Sequence, residues 1–169
     1  DQTWIYDPVP DFTYGFNIYL EYKNFDFTAF FQGVQGVDII SDLKKETDIW
    51  AGLNIGNLNK GHRLLNAWCV DNPSSNIPAV TLSDNNNEKR VSTYWVENGS
   101  YLKLRTIQLG YNLPQNIVSK LSMQRLRMYV SAQNLFTIKS SSFTGVDPEN
   151  PNYGYPIPLN ITFGLNVTF

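Results

Sequence analysis

The C-terminal stretch of the chain carries its clearest pattern. Leu159, Ile161, Phe163, Leu165, Val167 and Phe169 occupy one parity, while Asn160, Thr162, Gly164, Asn166 and Thr168 occupy the other. Successive side chains of a strand point to opposite faces, so this parity predicts a strand over 159–169 with one greasy face. Phe12, Tyr14, Phe16, Ile18, Leu20 and Tyr22 alternate in the same way with Thr13, Gly15, Asn17, Tyr19 and Glu21, predicting a strand over 12–22. Phe25, Phe27, Ala29 and Phe31 against Asp26, Thr28 and Gln32 predict a third over 25–33. Leu126, Met128, Val130, Ala132 and Phe136 against Arg125, Arg127, Tyr129, Ser131 and Gln133 predict a fourth over 125–136. The stretch 100–113 is less regular. Ile107, Leu109, Tyr111 and Leu113 face away from Thr106, Gln108, Gly110 and Asn112, but before Thr106 the phase changes, with Leu102 and Leu104 set between Lys103 and Arg105. Either a bulge lies there or the strand leaves the apolar zone at that height.

The connections follow an order of their own. Tyr22-Lys23-Asn24-Phe25 reads as a tight hairpin turn, and 35–98 is a long polar stretch rich in Asn and Asp. The link 114–123 is of medium length, with a helical turn expected over Asn116–Leu121, and 137–158 is a long loop holding Pro148, Pro151, Pro156 and Pro158. Glu46–Leu58 is expected to form a short helix, interrupted by Gly52 and Gly56. Alternate connections of an antiparallel meander fall on opposite sides, so the two shorter links share one side and the two longer ones the other. Transmembrane β-barrels have this asymmetry, with short periplasmic turns and long extracellular loops. Five strands cannot close such a barrel, which needs about eight at least. The alternation therefore leaves two architectures, a segment of a larger barrel or a soluble five-stranded sandwich with one face covered.

Composition narrows the function classes. The chain has 169 residues, 17% of them charged and 14% aromatic, with a net charge of -2. The aromatic content excludes a disordered chain, and the net charge together with the lack of a Lys/Arg run excludes a nucleic-acid footprint. No apolar run is long enough for a transmembrane helix, but a spanning strand needs only about 9–11 residues. Asp1-Gln2-Thr3-Trp4 carries no leader pattern, so either a leader has been removed or the chain begins inside a longer one. With one cysteine there is neither an internal disulfide nor a cysteine metal site, and Cys69 is expected to pack as a small apolar residue.

Catalytic chemistry finds little support. His62 has no carboxylate or cysteine at ligand spacing, which argues against zinc, and there is no G-x-S-x-G elbow. The acidic positions Asp71 and Asp84 to Glu88 lack the spacing of a calcium loop and read as solvated loop. A hydrolase built on Asp26 and Glu97 has nothing that sets its carboxylates at a working distance. We therefore expect no enzyme, no metal and no cofactor. The loop aromatics Trp50, Trp68, Trp95, Tyr153 and Tyr155 either stack on a ligand or hold long loops together. A soluble all-β carbohydrate-binding module, with Trp50, Trp68 and Tyr155 as its platform, is the competing functional reading.

Several segments carry a family resemblance. Tyr94-Trp95-Val96-Glu97-Asn98-Gly99-Ser100-Tyr101-Leu102-Lys103-Leu104-Arg105 resembles a signature of SusC/RagA-type TonB-dependent outer-membrane transporters. Leu109-Gly110-Tyr111-Asn112-Leu113-Pro114 and Leu126-Arg127-Met128-Tyr129-Val130-Ser131-Ala132-Gln133-Asn134-Leu135-Phe136-Thr137 are similar to the family's following motifs. Asp147-Pro148-Glu149, Gly154-Tyr155-Pro156-Ile157-Pro158 and the final Phe163 to Phe169 continue in the family's order, and Phe27 to Gly36 fits the strand upstream.

The resemblance implies an all-β, antiparallel up-and-down meander. It makes 1–169 a C-terminal barrel segment, about the last five strands of a 22-stranded type of outer-membrane barrel, with the plug domain absent. It implies a place in the bacterial outer membrane and a part in importing glycans or peptides. The partners it implies are outer-membrane lipid, a SusD-type surface lipoprotein, and TonB acting through the absent plug. Under it Trp50, Trp68, Tyr153 and Tyr155 become candidate contacts for ligand or lid. Glu21, Arg125 and Arg127 line the lumen or meet the plug, and Tyr22, Phe25, Tyr111 and Phe169 form an aromatic girdle on the short-turn side. Phe163, Leu165, Val167 and Phe169 resemble the sorting signal read by the barrel-assembly machinery, for which an open edge strand is a natural handle.

Overall fold

The computed structural model describes residues 4–42, 44, 61–81, 87, 90–151 and 155–169. Among them are the strands β1 (Phe12–Tyr22), β2 (Phe25–Gln35), β3 (Asp38–Ile40), β4 (Val96–Asn98), β5 (Tyr101–Asn112), β6 (Arg125–Lys139) and β7 (Asn160–Thr168). A short helix α1 (Gln115–Val118) runs into a 3-10 turn at Ser119–Leu121, where the sequence leads one to expect a helical turn. Two compact units result, one of Asp1–Val9, Val37–Gly99 and Ser141–Pro156, the other of Pro10–Gly36, Ser100–Ser140 and Ile157–Phe169.

The second unit is a single sheet in the order β1-β2-β5-β6-β7, every neighbouring pair antiparallel. Its strands are rich in the aromatic and β-branched residues that suit a pleated surface. The first turn is two residues long, closing Tyr22 onto Phe25, with Lys23 at φ +55. The long excursion departs at Gly36, whose φ of +70 suits a residue without a Cβ, and returns at Ser100. Ser100 Oγ accepts a hydrogen bond from the Gly36 N–H at 3.0 Å, which holds the two ends of the excursion together.

The phase change in β5 is a bulge. The register passes from Phe30 opposite Thr106 to Phe31 opposite Leu104, leaving Arg105 as the extra residue. A second irregularity follows on β6, where Gln133 opposes Thr106 and Phe136 opposes Leu104. Asn134 takes φ +56 there, a left-handed conformation that asparagine tolerates. The added residue resets the alternation, so β6 runs on to Lys139, past the end that simple parity gives.

Cross-strand register turns the alternating strands into rows. Leu20, Phe27, Leu109, Val130 and Phe163 oppose one another in succession across the sheet. Ile18, Ala29, Ile107, Ala132 and Ile161 form a parallel row, as do Tyr22, Phe25, Tyr111, Met128 and Leu165. These rows are not a core. Phe163 is 81% exposed and Leu165 66%, and β1 is exposed along its whole length on both faces. A sandwich would cover one face of every strand, and among the described residues neither face of β1 is covered. β1 and β7 each pair on one side only among the described residues.

The first unit is organised around Trp95, which is 1% exposed and has Ile40 and Tyr94 packed against it. Its indole N–H donates to the Arg90 carbonyl at 3.0 Å, and its carbonyl accepts from the Ser41 N–H at 3.1 Å. β3 and β4 pair beside it, setting Ile40 opposite Val96. Of the two roles open to Trp95, it takes the one that holds a long loop together. Cys69 departs from expectation: it is exposed, because it sits in a tight turn closed by the Asn72 N–H donating to its carbonyl at 3.0 Å. The helix expected over Glu46–Leu58 lies outside the described residues, as does the run Asp84–Glu88 apart from Asn87.

Candidate functional site

The opposite face of the sheet gathers its polar chemistry at the short-turn end. Glu21, Asp26, Gly110, Tyr129 and Gly164 form one cross-strand row, and Tyr19, Thr28, Gln108, Ser131 and Thr162 form the next. Asp26 on β2 and Arg127 on β6 are joined by a bidentate ion pair spanning β5. Arg127 Nε donates to Asp26 Oδ1 at 2.9 Å, and a second guanidinium nitrogen donates to Oδ2. The two side chains are 11% and 13% exposed, so the pair is largely withdrawn from water. Bidentate guanidinium–carboxylate pairs are among the strong hydrogen-bonded contacts.

Gly110 on β5 is what lets the two residues meet. A Cβ at Gly110 would collide with both the Asp26 carboxylate and the Arg127 guanidinium. On its far side Arg127 lies 5.3 Å from the centre of the Tyr129 ring, a cation–π arrangement. The Tyr129 ring in turn covers Gly164 on β7, where a Cβ would meet it. Asn112 extends the network, donating to Asp26 Oδ1 at 3.4 Å and accepting from Arg125 Nε and Nη2 at 3.0 and 2.9 Å. Glu21 accepts the Tyr19 hydroxyl on the outermost strand. Farther along this face, at the bulge itself, Arg105 Nε donates to Gln32 Oε1 at 2.9 Å.

Glu21, Arg125 and Arg127 thus share one face, but each has a different partner: Tyr19, Asn112 and Asp26. Sequence reasoning missed Asn112, Gly110 and Tyr129 as members of this network. One signal was available: opposite charges on the polar parity of β2 and β6, with a glycine on the polar parity of β5 between them.

A second polar centre lies in the loop unit. The Glu97 carboxylate accepts from the Thr144 N–H at 2.9 Å and from the Thr144 hydroxyl at 2.8 Å, and Lys44 Nζ stands 3.7 Å away. Lys44 also donates to the Tyr94 carbonyl and sits 4.1 Å from the centre of the Tyr94 ring. Glu97 therefore fastens the 141–156 loop to the 37–99 excursion. The two carboxylates of the hydrolase alternative have separate partners, Arg127 for Asp26 and Lys44 with Thr144 for Glu97.

The loop aromatics fare unevenly. Tyr155 is 96% exposed, with its carbonyl held by Asn150 Nδ2 at 3.1 Å, and Trp68 is exposed, with its N–H on the Ile77 carbonyl at 2.9 Å. Trp50 and Tyr153 lie outside the described residues. Phe163, Leu165 and Val167 stand on the apolar face of β7, and Phe169 is exposed just beyond it. Among the described residues no group of three His, Cys, Asp or Glu side chains is placed to hold a metal ion. No described helix is long and apolar enough to cross a membrane, a fact that does not bear on strands.

Known proteins resemble the chain in sequence and in fold. The chain is 37% identical, over its whole length, to TonB-dependent receptor P3 of Formosa agariphila, and 27% identical over 96% of its length to TonB-dependent receptor SusC of Bacteroides thetaiotaomicron. Its fold matches the RagAB peptide importer in the 'open-open' state with a TM-score of 0.78, at 28% identity over 97% of the chain. The chain belongs to the SusC/RagA type of TonB-dependent receptor. It spans about a sixth of the length of the curated relatives it matches, at 17% of P3 and 15% of SusC, and 18% of the RagAB chain. The relatives and neighbours are named as receptors and transporters, not as enzymes. No protein-family model matches the chain. The receptor motifs now have physical content. The Trp95-to-Ser100 run supplies the loop core and the Glu97 fastening, Gly110 leaves room for an ion pair, and Arg127 with Tyr129 completes that pair.

Proposed function

We propose that the chain forms part of the wall and extracellular mouth of a nutrient importer in the bacterial outer membrane. The observation that carries this reading is the apolar face that crosses all five strands of the sheet, exposed on β1 and β7 and half-buried on much of the inner strands with Ala29 buried, and that ends, among the described residues, at two edges paired on one side only. Its height suits a bilayer. An 11-residue strand spans about 35 Å, and a tilt of about 40° reduces that to about 27 Å, close to the apolar band of an outer-membrane barrel. The five strands belong, in this reading, to the C-terminal end of a 22-stranded type of barrel.

The polar face then lines the lumen. Glu21, Arg125 and Arg127 meet a plug, through which TonB drives uptake. The loop unit lies outside the cell, where Trp68 and Tyr155, together with Trp50 and Tyr153, contact substrate or a SusD-type lipoprotein. Peptides are the better-supported cargo, since the RagAB neighbour is a peptide importer, and oligosaccharides are the alternative. Phe163, Leu165, Val167 and Phe169 serve the barrel-assembly machinery as its recognition strand.

Far-ultraviolet circular dichroism and sedimentation of the full chain, with and without lipid vesicles, test the wall assignment. Ordered β-structure that depends on lipid supports it. A folded monomer in plain buffer overturns it, because the apolar rows would then have found a covering within the chain.

A further inference from the structure

The short-connection end of the sheet has features that the wall reading leaves unused. The Lys23-Asn24 turn and the 113–124 connection lie side by side there, because the Asn112 N–H donates to the Asn24 carbonyl at 2.8 Å. The apolar row nearest this end holds Tyr22, Phe25 and Tyr111, with the Phe25 and Tyr111 rings 4.7 Å apart. The connection folds as α1 and its 3-10 turn, capped by Ser122 at φ +55. Val118 is fully buried, yet Ile117 and Leu121, four residues apart, are about half exposed. Lys120 is next to Leu121, and the Lys23 ammonium lies 5.2 Å from the centre of the Tyr22 ring.

The charges at this end are sorted. Glu21 is engaged by the Tyr19 hydroxyl and Asp26 by Arg127, both on the polar face. Among the described residues neither Lys23 nor Lys120 forms an ion pair. The result is a rim of unneutralised ammonium groups beside exposed aromatic and aliphatic side chains. Phosphate diesters above an acyl layer complement such a rim. Tyrosine rings prefer the headgroup zone, and lysine stems reach past apolar surface to place their charge in it.

We propose that this end is a headgroup anchor, in which Lys23 and Lys120 bind the phosphates of anionic phospholipid while Tyr22, Tyr111, Ile117 and Leu121 enter the interfacial zone. The proposal rests on the wall reading and adds to it the chemistry of the leaflet on the short-turn side. Each basic residue near an anionic surface strengthens attachment about fivefold, so the two together are worth roughly 30-fold.

The full chain is to be tested by flotation and circular dichroism on vesicles of phosphatidylcholine alone and of phosphatidylcholine with phosphatidylglycerol. We expect β-structure on both, a partition about 30-fold stronger on the anionic vesicles, and loss of that gain in the Lys23→Gln/Lys120→Gln double variant. Lys139→Gln, at the opposite end of β6, should keep the gain. Absence of β-structure on either vesicle overturns the wall reading and the anchor with it. β-structure on both with equal partition, or a gain that survives in the double variant, overturns the anchor alone.

Discussion

Asp26 on β2 and Arg127 on β6 close an ion pair across a strand that belongs to neither of them, in the gap that Gly110 leaves on β5. This contact links β2 to β6 across β5 through one pair of side chains. It also neutralises two charges that are only about a tenth exposed. Removing one member of a mostly buried pair leaves the other without compensation, which costs about 3 kcal/mol. Asp26→Ala and Arg127→Ala should each lose about that much stability in lipid. The double variant should lose clearly less than the sum, since neither charge is then stranded. Urea unfolding of the four chains in vesicles checks it, and strict additivity would show that the pair does not couple.

Gly110→Ala tests the same geometry without touching a charge. The added Cβ would stand where the carboxylate and guanidinium meet, so the pair must part or β5 must shift. We expect a loss of about 2 kcal/mol, within the range for forcing a group into a filled site. Combining the substitution with Asp26→Ala should shrink its additional cost, because the Arg127 guanidinium, released from its partner, can then swing away from the added Cβ. The same urea series reads both variants.

Glu97→Gln should loosen the loop unit and leave the sheet intact. Hydrogen bonds to a charged acceptor are worth about 1.5–3 kcal/mol, and Glu97 takes them from both the N–H and the hydroxyl of Thr144, with Lys44 alongside. Opening of the 141–151 segment should become at least about tenfold more frequent, as read by limited proteolysis beside Phe143. The circular dichroism of the sheet should not change.

Much of the sheet is legible in the alternation because period-2 parity is a local property. The strand over 12–22 and the turn at Lys23-Asn24 follow from adjacent residues alone. The bulge at Arg105 is visible as a phase break between Leu104 and Thr106. The extension of β6 past Phe136 is not, because it depends on Asn134 adopting a left-handed conformation opposite that bulge. The ion-pair network is only half legible. Parity puts Arg127 and Asp26 on polar faces, but their meeting needs the order β2-β5-β6, and the sixty-odd residues between β2 and β5 hide which strand lies beside which. The fastening of Glu97 by Thr144 and Lys44 has no sequence period at all, since it joins three loop segments through contacts of long range.

The two faces of β5 allow a direct test of which side meets lipid. Leu109 and Gln108 are adjacent, with Leu109 in the apolar row and Gln108 in the polar one. An arginine on a lipid-facing position near mid-bilayer costs about 2–4 kcal/mol, whereas one on the lumen side finds water and polar neighbours. Leu109 lies one row in from the Tyr111 row at the short-turn boundary, so Leu109→Arg should destabilise the chain in vesicles by about 1–2 kcal/mol, between the interfacial and the mid-bilayer penalty, and Gln108→Arg by clearly less. Thr28, Ser131 and Thr162, which share the Gln108 row, can take up the new guanidinium. Folding titrations in vesicles would measure both. Equal penalties at the two positions would mean that both faces meet the same medium, and the assignment of one to lipid and the other to a lumen would fall.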